Sequence, residues 1–182
     1  MTAVTSSIRP FYADWAHYNR RLVDALRALG PDDLALRAGN SNHWPIWAIA
    51  GHMAGTRVFW FCDVFGEPGA EQTPFAGDAP DWEDDLARSR SGDELVDALT
   101  STWRVIEGCL DRWTPESLVR TARRDKAGRR PEIHTRQSIL MRMITHEAYH
   151  VGEISLTLGA AGREPIDLWP GSEWESDATR AD

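Results

Sequence analysis

Apolar residues recur at three- and four-residue spacing in four long stretches, the period of an amphipathic helix. In the first, Ile8, Phe11, Trp15, Leu22, Leu26 and Leu29 repeat with Tyr12, Tyr18 and Val23 between them. Gly30-Pro31 ends that helix, and His17 points away from its stripe toward solvent. Residues Asp32 to Asn42 read as a connection rich in Gly, Asn and Ser. Pro45 suits the first turn of a second helix running to about Phe65. Ile46, Ile49, Ala50, Met53, Trp60, Phe61 and Val64 make it apolar over most of its surface, so it is expected to be buried on more than one side. Gly51 and Gly55 are expected to let a neighbouring helix approach closely.

From Gly66 to Arg90 no long period appears, and a loop of that length in a compact domain is functional or mobile. Its rings Phe75 and Trp82 either close over a cavity or pin a surface loop. Ser91-Gly92-Asp93-Glu94 has the spacing of a capping box. Leu95, Ala98, Leu99, Thr102, Ile106, Cys109 and Trp113 then predict a third helix ending near Thr114-Pro115. Leu118 to Ile133 alternates in places around a turn at Ala127-Gly128, which predicts a short hairpin. Thr135 caps a fourth helix that closes at Gly159-Ala160-Ala161-Gly162. Four long helices with little strand signal predict an all-α four-helix bundle. The chain reads as one domain over residues 1–182, with 163–182 as a tail that first packs back on the bundle.

The candidate chemistry lies on the second and fourth helices. His146 and His150 stand one turn apart, so neutral imidazoles there can share a divalent metal. On a wheel of about 100° per residue, both sit at the edge of the apolar stripe formed by Ile139, Leu140, Met143, Ile144, Val151, Ile154 and Leu158. Glu147 falls in the middle of that stripe, where an unpartnered carboxylate costs several kcal/mol, roughly. Two readings of Glu147 follow: a catalytic partner of a metal site, or a structural ion pair with an arginine. His52, inside the second helix, is the third candidate ligand, with Thr56 and Asp63 on the same polar strip; His43, in the preceding loop, is weaker. Three protein ligands with open positions is the pattern of a catalytic metal site.

Composition narrows the partners. The 182 residues carry a formal net charge of −8, which argues against nucleic acid. No apolar run reaches membrane-spanning length. Two cysteines, Cys62 and Cys109, lie in helical apolar patterns and are expected to be buried free thiols. With no signal-peptide pattern at the start, a cytoplasmic protein is expected. Nine tryptophans point to an aromatic-lined core or pocket.

Two segments carry a family likeness: Trp47-Ala48-Ile49-Ala50-Gly51-His52-Met53-Ala54, and His146-Glu147-Ala148-Tyr149-His150-Val151-Gly152-Glu153-Ile154 followed by Leu158-Gly159. At this separation the pair resembles the DinB-like (DinB/YfiT) family of metal-binding four-helix bundles, over most of residues 8–162. The resemblance implies an up-down-down-up helix order, a zinc- or nickel-binding triad at His52, His146 and His150, and frequent homodimers. It also implies a low-molecular-weight thiol, mycothiol, bacillithiol or glutathione, as co-substrate of an S-transferase acting on a small electrophile. Glu147 would then be a partner of the site or its general base. Alternatives are a metal-dependent hydrolase and a non-enzymatic, metal-stabilised binding or stress-response module. His146-Glu147-x-x-His150 also matches the zinc-protease pattern. Its extended form fails, because Glu153 and Leu156 stand where Gly and a third His belong. That reading needs Glu173 or Glu175 as third ligand.

Overall fold

The computed structural model describes residues 6–39, 43–77 and 82–168. A 3₁₀ turn at Arg9–Tyr12 leads into α1 (Ala13–Ala28). The short α2 (Pro31–Leu34) follows, inside what the pattern alone reads as a connection. Pro31 explains it: its fixed φ both ends α1 and starts a new turn. Helix α3 (Ile46–Val58) continues without a break into a π-helical turn, Phe59–Val64. Helix α4 spans Gly92–Arg112 and α5 spans Arg136–Ala160.

Both later N-termini are capped as their sequences predict. Ser91 Oγ accepts from the Glu94 amide at 3.3 Å, and the Glu94 carboxylate accepts from the Ser91 amide at 2.9 Å. Thr135 Oγ1 accepts from the Ser138 amide at 3.1 Å. Each such cap satisfies amides the helix itself leaves unpaired, worth about 1 kcal/mol.

Contacts between helices fix their directions. Near the start of α1, Arg9 pairs with Asp111 at the end of α4 (2.7 Å), and Trp15 stacks edge-on against Trp103 at 5.4 Å, so α1 and α4 are antiparallel. Arg57 donates to the Leu99 carbonyl at 2.9 Å and Phe61 lies 5.6 Å from Trp113, so α3 runs parallel to α4. His52 meets His146 and His150 while Trp60 meets Arg142, so α5 is antiparallel to α3. The four long helices therefore run up, down, down, up. Helix α3 is the central rod: Ile46, Ala48, Ile49, Ala50, Met53 and Ala54 are all buried. Burying each large apolar side chain contributes about 1.5–3 kcal/mol.

Two strands, β1 (Thr121–Arg124) and β2 (Glu132–Thr135), form the expected antiparallel hairpin, with Thr121 opposite Thr135 and Arg124 opposite Glu132. Gly128 takes the positive φ of +69° that its turn requires. After α5 the chain folds back over the ends of α1 and α5. Arg163 pairs with Asp33 at 2.6 Å, and Ser155 donates to the Ile166 carbonyl at 3.3 Å. Trp169, Trp174, Glu173 and Glu175 lie outside the described residues. No helix among the described residues is long and apolar enough to cross a membrane.

Candidate metal centre

The structure brings His52, His146 and His150 together. One ring nitrogen from each lies within 4.8 Å of the others, and the Nε2 atoms of His52 and His146 are 3.0 Å apart. Two imidazoles on a tetrahedral zinc hold their ligand nitrogens about 3.3 Å apart, given Zn–N bonds of 2.0–2.1 Å. The cluster is therefore at coordination spacing.

The outward nitrogens decide how the rings are set. His150 Nδ1 faces Glu153 Oε2 at 3.0 Å, one turn along α5. His52 Nδ1 is hydrogen-bonded to Glu83 Oε1. A carboxylate at Nδ1 keeps the proton there and leaves the Nε2 lone pair aimed at the common point, the outer support that metal-ligating histidines ordinarily have. Burial, then the neighbouring His150 and His52 and the Arg142 guanidinium, push His146 down to about 4. Burial also lowers His150, against the opposing hydrogen bond from Glu153. Both rings are thus neutral near pH 7, as ligands must be. Three converging imidazoles, with the buried Nδ1 of His146 left without a partner, fit a divalent cation that favours imidazole, such as zinc, nickel or copper.

Glu83 had no signal in the sequence. It lies on a 3₁₀ turn, Trp82–Asp84, in the long loop between α3 and α4. Trp82 docks that turn on α3. A Cβ added to Gly51 would meet Trp82 Cβ at 3.0 Å, so glycine is what lets the loop approach a turn's edge from His52. Gly51 thus admits this loop and not the neighbouring helix that its spacing suggests. Two further contacts hold the turn: Phe75 packs 5.2 Å from Trp82, and the Arg90 guanidinium lies 4.3 Å over the Trp82 ring. Of the two readings of the loop, the rings do pin it down, and in doing so they deliver a carboxylate to the site.

Glu147 is placed elsewhere, on the neighbouring face of α5. Its Oε1 accepts from Arg57 Nε at 2.7 Å and its Oε2 from Trp15 Nε1 at 2.7 Å. Arg57, fully buried, also donates to Asn19 Oδ1 and the Leu99 carbonyl, each at 2.9 Å. Both oxygens of Glu147 are engaged in a buried ion-pair network, the arrangement that its structural reading expects, and neither contacts the triad in this geometry. The reason is the wheel itself, since the residue after His146 is turned about 100° from it. The zinc-protease reading loses its general base by the same fact. His43 is exposed and stands outside the triad. Cys62 and Cys109 are free and buried, and burial pushes the Cys62 thiol up to about 11, so neither is poised as a nucleophile.

A cavity of about 540 Å³ opens on His52 and His146. Phe59 and Trp60 from the π-helical turn, Arg124 from β1, and Arg142 and Tyr149 from α5 line it. Such π turns often mark functional sites because they displace side chains from the regular helical register.

The DinB superfamily matches residues 15–154 of this sequence. The chain belongs to the DinB superfamily. A crystal structure of a DinB-like protein from Bacillus cereus ATCC 10987 superposes with a TM-score of 0.63 at 18% identity, covering 92% of this chain and 99% of that one. At that identity the likeness establishes the bundle fold. No curated protein matches the chain. DinB-like proteins bind divalent metal, and the three imidazoles give this DinB-like chain a donor set that can hold one.

Proposed function

We propose that this protein is a divalent-metal-dependent enzyme that transfers a low-molecular-weight thiol, such as mycothiol, bacillithiol or glutathione, to a small electrophile. The observation that carries the reading is a three-imidazole cluster open on one side to an aromatic-lined cavity. A structural zinc site is closed by four protein ligands, whereas three ligands leave a position for an exchangeable group. When bound, zinc or a similar ion supplies the positive charge that lowers the pKa of a coordinated thiol or water.

His52, His146 and His150 would hold the ion. Glu83 and Glu153 keep two of the rings in the tautomer that ligation needs. Phe59, Trp60 and Tyr149 offer an aromatic lining for the electrophile and shield the reacting atoms from bulk water. Glu83 is the carboxylate nearest the triad that can relay a proton through His52, the role the sequence offered to Glu147.

The test is to strip and reload the protein with zinc or nickel, then supply each thiol with a haloarene electrophile. Metal-dependent formation of the thioether supports the proposal. No turnover with any thiol overturns it. Product released from esters or amides without thiol would reassign the same site to hydrolysis.

A further inference from the structure

The wall of the cavity beside the imidazoles carries two guanidinium groups. Arg142 and Arg124 both lie over the Trp60 ring, at 4.9 and 5.2 Å from its centroid, and Arg124 lies 4.8 Å over Phe59. Arg142 sits one turn before His146 on α5 and is close enough to help depress that imidazole. It has no carboxylate partner among the described residues. Arg124 has only a 3.7 Å approach to Glu132 Oε2, and that carboxylate is engaged by Lys126 at 2.5 Å and His134 at 3.2 Å. In a chain of net charge −8, two under-neutralised cations converge on one small cavity. Stacking on an aromatic face holds a guanidinium plane while leaving its N–H edge free.

We infer that Arg142 and Arg124 form a carboxylate-reading subsite, so that the substrate of this cavity ends in a carboxylate distal to its metal-facing group. The fork of a guanidinium matches a carboxylate in two parallel hydrogen bonds. The amides of α5, which carries Arg142, are already used within the helix, which favours recognition by guanidinium over a backbone anion cradle. The subsite deepens the metal-site reading above and rests on it. It says which end of a substrate lies away from the imidazoles, and it would discriminate acids from their esters and amides.

The experiment uses a metal-binding head that does not depend on thiol chemistry. Zinc-loaded protein is titrated calorimetrically with succinic and glutaric monohydroxamates and with the methyl ester of each. The hydroxamate occupies the open coordination face, and the two spacers sample the reach to the arginines. We expect the acid of at least one pair to bind about tenfold more tightly than its ester, the effect of one charge-assisted contact. That ratio should fall to about one in the double variant Arg124→Gln/Arg142→Gln and be partly kept in Arg142→Lys, with zinc content unchanged in each. Equal affinity of acid and ester for both spacers overturns the subsite, as does a preference that survives the double variant. Failure of both members to bind zinc-loaded protein overturns it too, since the cavity would then not open on the metal. A protein that passes this test yet turns over no thiol would retain the subsite and lose the transferase reading.

Discussion

Two polar clusters, one buried and one partly buried, are built from the same pair of helices and from nearly adjacent residues. His52 and Arg57 lie on α3, and His146 and Glu147 are neighbours on α5. Around Arg57 and Glu147 the hydrogen bonds close on themselves: indole, guanidinium, carboxylate, amide and carbonyl all have partners. Around the imidazoles they do not. The outward nitrogens of two rings are tied to carboxylates, while the inward nitrogens of His52 and His146 have only each other, at 3.0 Å, and the buried Nδ1 of His146 has no partner. Polar groups that satisfy one another specify a packing, and polar groups that converge without satisfying one another specify a ligand.

The largest effect is expected on the closed side. Arg57→Ala should lower unfolding stability by about 3–5 kcal/mol, because it leaves Glu147 buried without its cation. Urea titration of metal-free protein reads this directly, and a loss below 1 kcal/mol, roughly, would show the network to be dispensable. On the open side, His146→Ala should leave the metal-free unfolding midpoint nearly unchanged while weakening zinc more than about 100-fold. Glu83→Gln should fall within the 10–100-fold typical of losing an outer partner. Competition with a chelator dye measures both, and a His146→Ala protein of unaltered zinc affinity would remove that residue from the ligand set.

A third cluster gives the comparison a pH axis. Glu67 accepts from Trp113 Nε1 and Arg136 at 2.7 Å and from Arg112 at 2.8 Å. Burial pushes its carboxyl up, but those hydrogen bonds and the nearby guanidiniums win and hold it below its ordinary 4.5. A folded value below the unfolded one means stability fully present above about pH 4.5 and lost as pH falls through the folded value. Glu67→Gln should therefore cost on the order of 2 kcal/mol at neutral pH, with the difference from wild type shrinking below pH 4.5, roughly. Urea midpoints at several pH values check it, and a pH-independent difference would refute the charge-based account. The smallest effect is expected from Gly51→Ala. Its methyl meets Trp82, so the turn bearing Glu83 should shift and zinc affinity should fall by less than about tenfold, below the loss of Glu83 itself.

The bundle was legible because its helices are long and amphipathic, and because Gly30-Pro31, Ser91 with Glu94, and Thr135 mark their ends chemically. The triad was legible because two of its members share a helix face and the third interrupts an apolar run. The partner of Glu147 was not, since a wheel shows that a carboxylate faces inward without showing what it meets. Glu83 was hidden for another reason. It sits 31 residues from His52 in a segment without periodicity, and only the docking of Trp82 on Gly51 brings it home. The two arginines of the cavity come from β1 and α5, and nothing in their spacing announces a shared ring.

The π-helical turn at Phe59–Val64 has a consequence for how this cavity can change. Its aromatic side is set by winding of the main chain, with Phe59 and Trp60 turned to the cavity and Phe61 to the interior. Replacing Trp60 would repaint that side and leave its position alone. Deleting one residue would rewind the turn as ordinary α-helix with nearly the same net rotation, removing the bulge that turns these rings outward. Selectivity can therefore drift by substitution, or change at one step by loss of the widened turn.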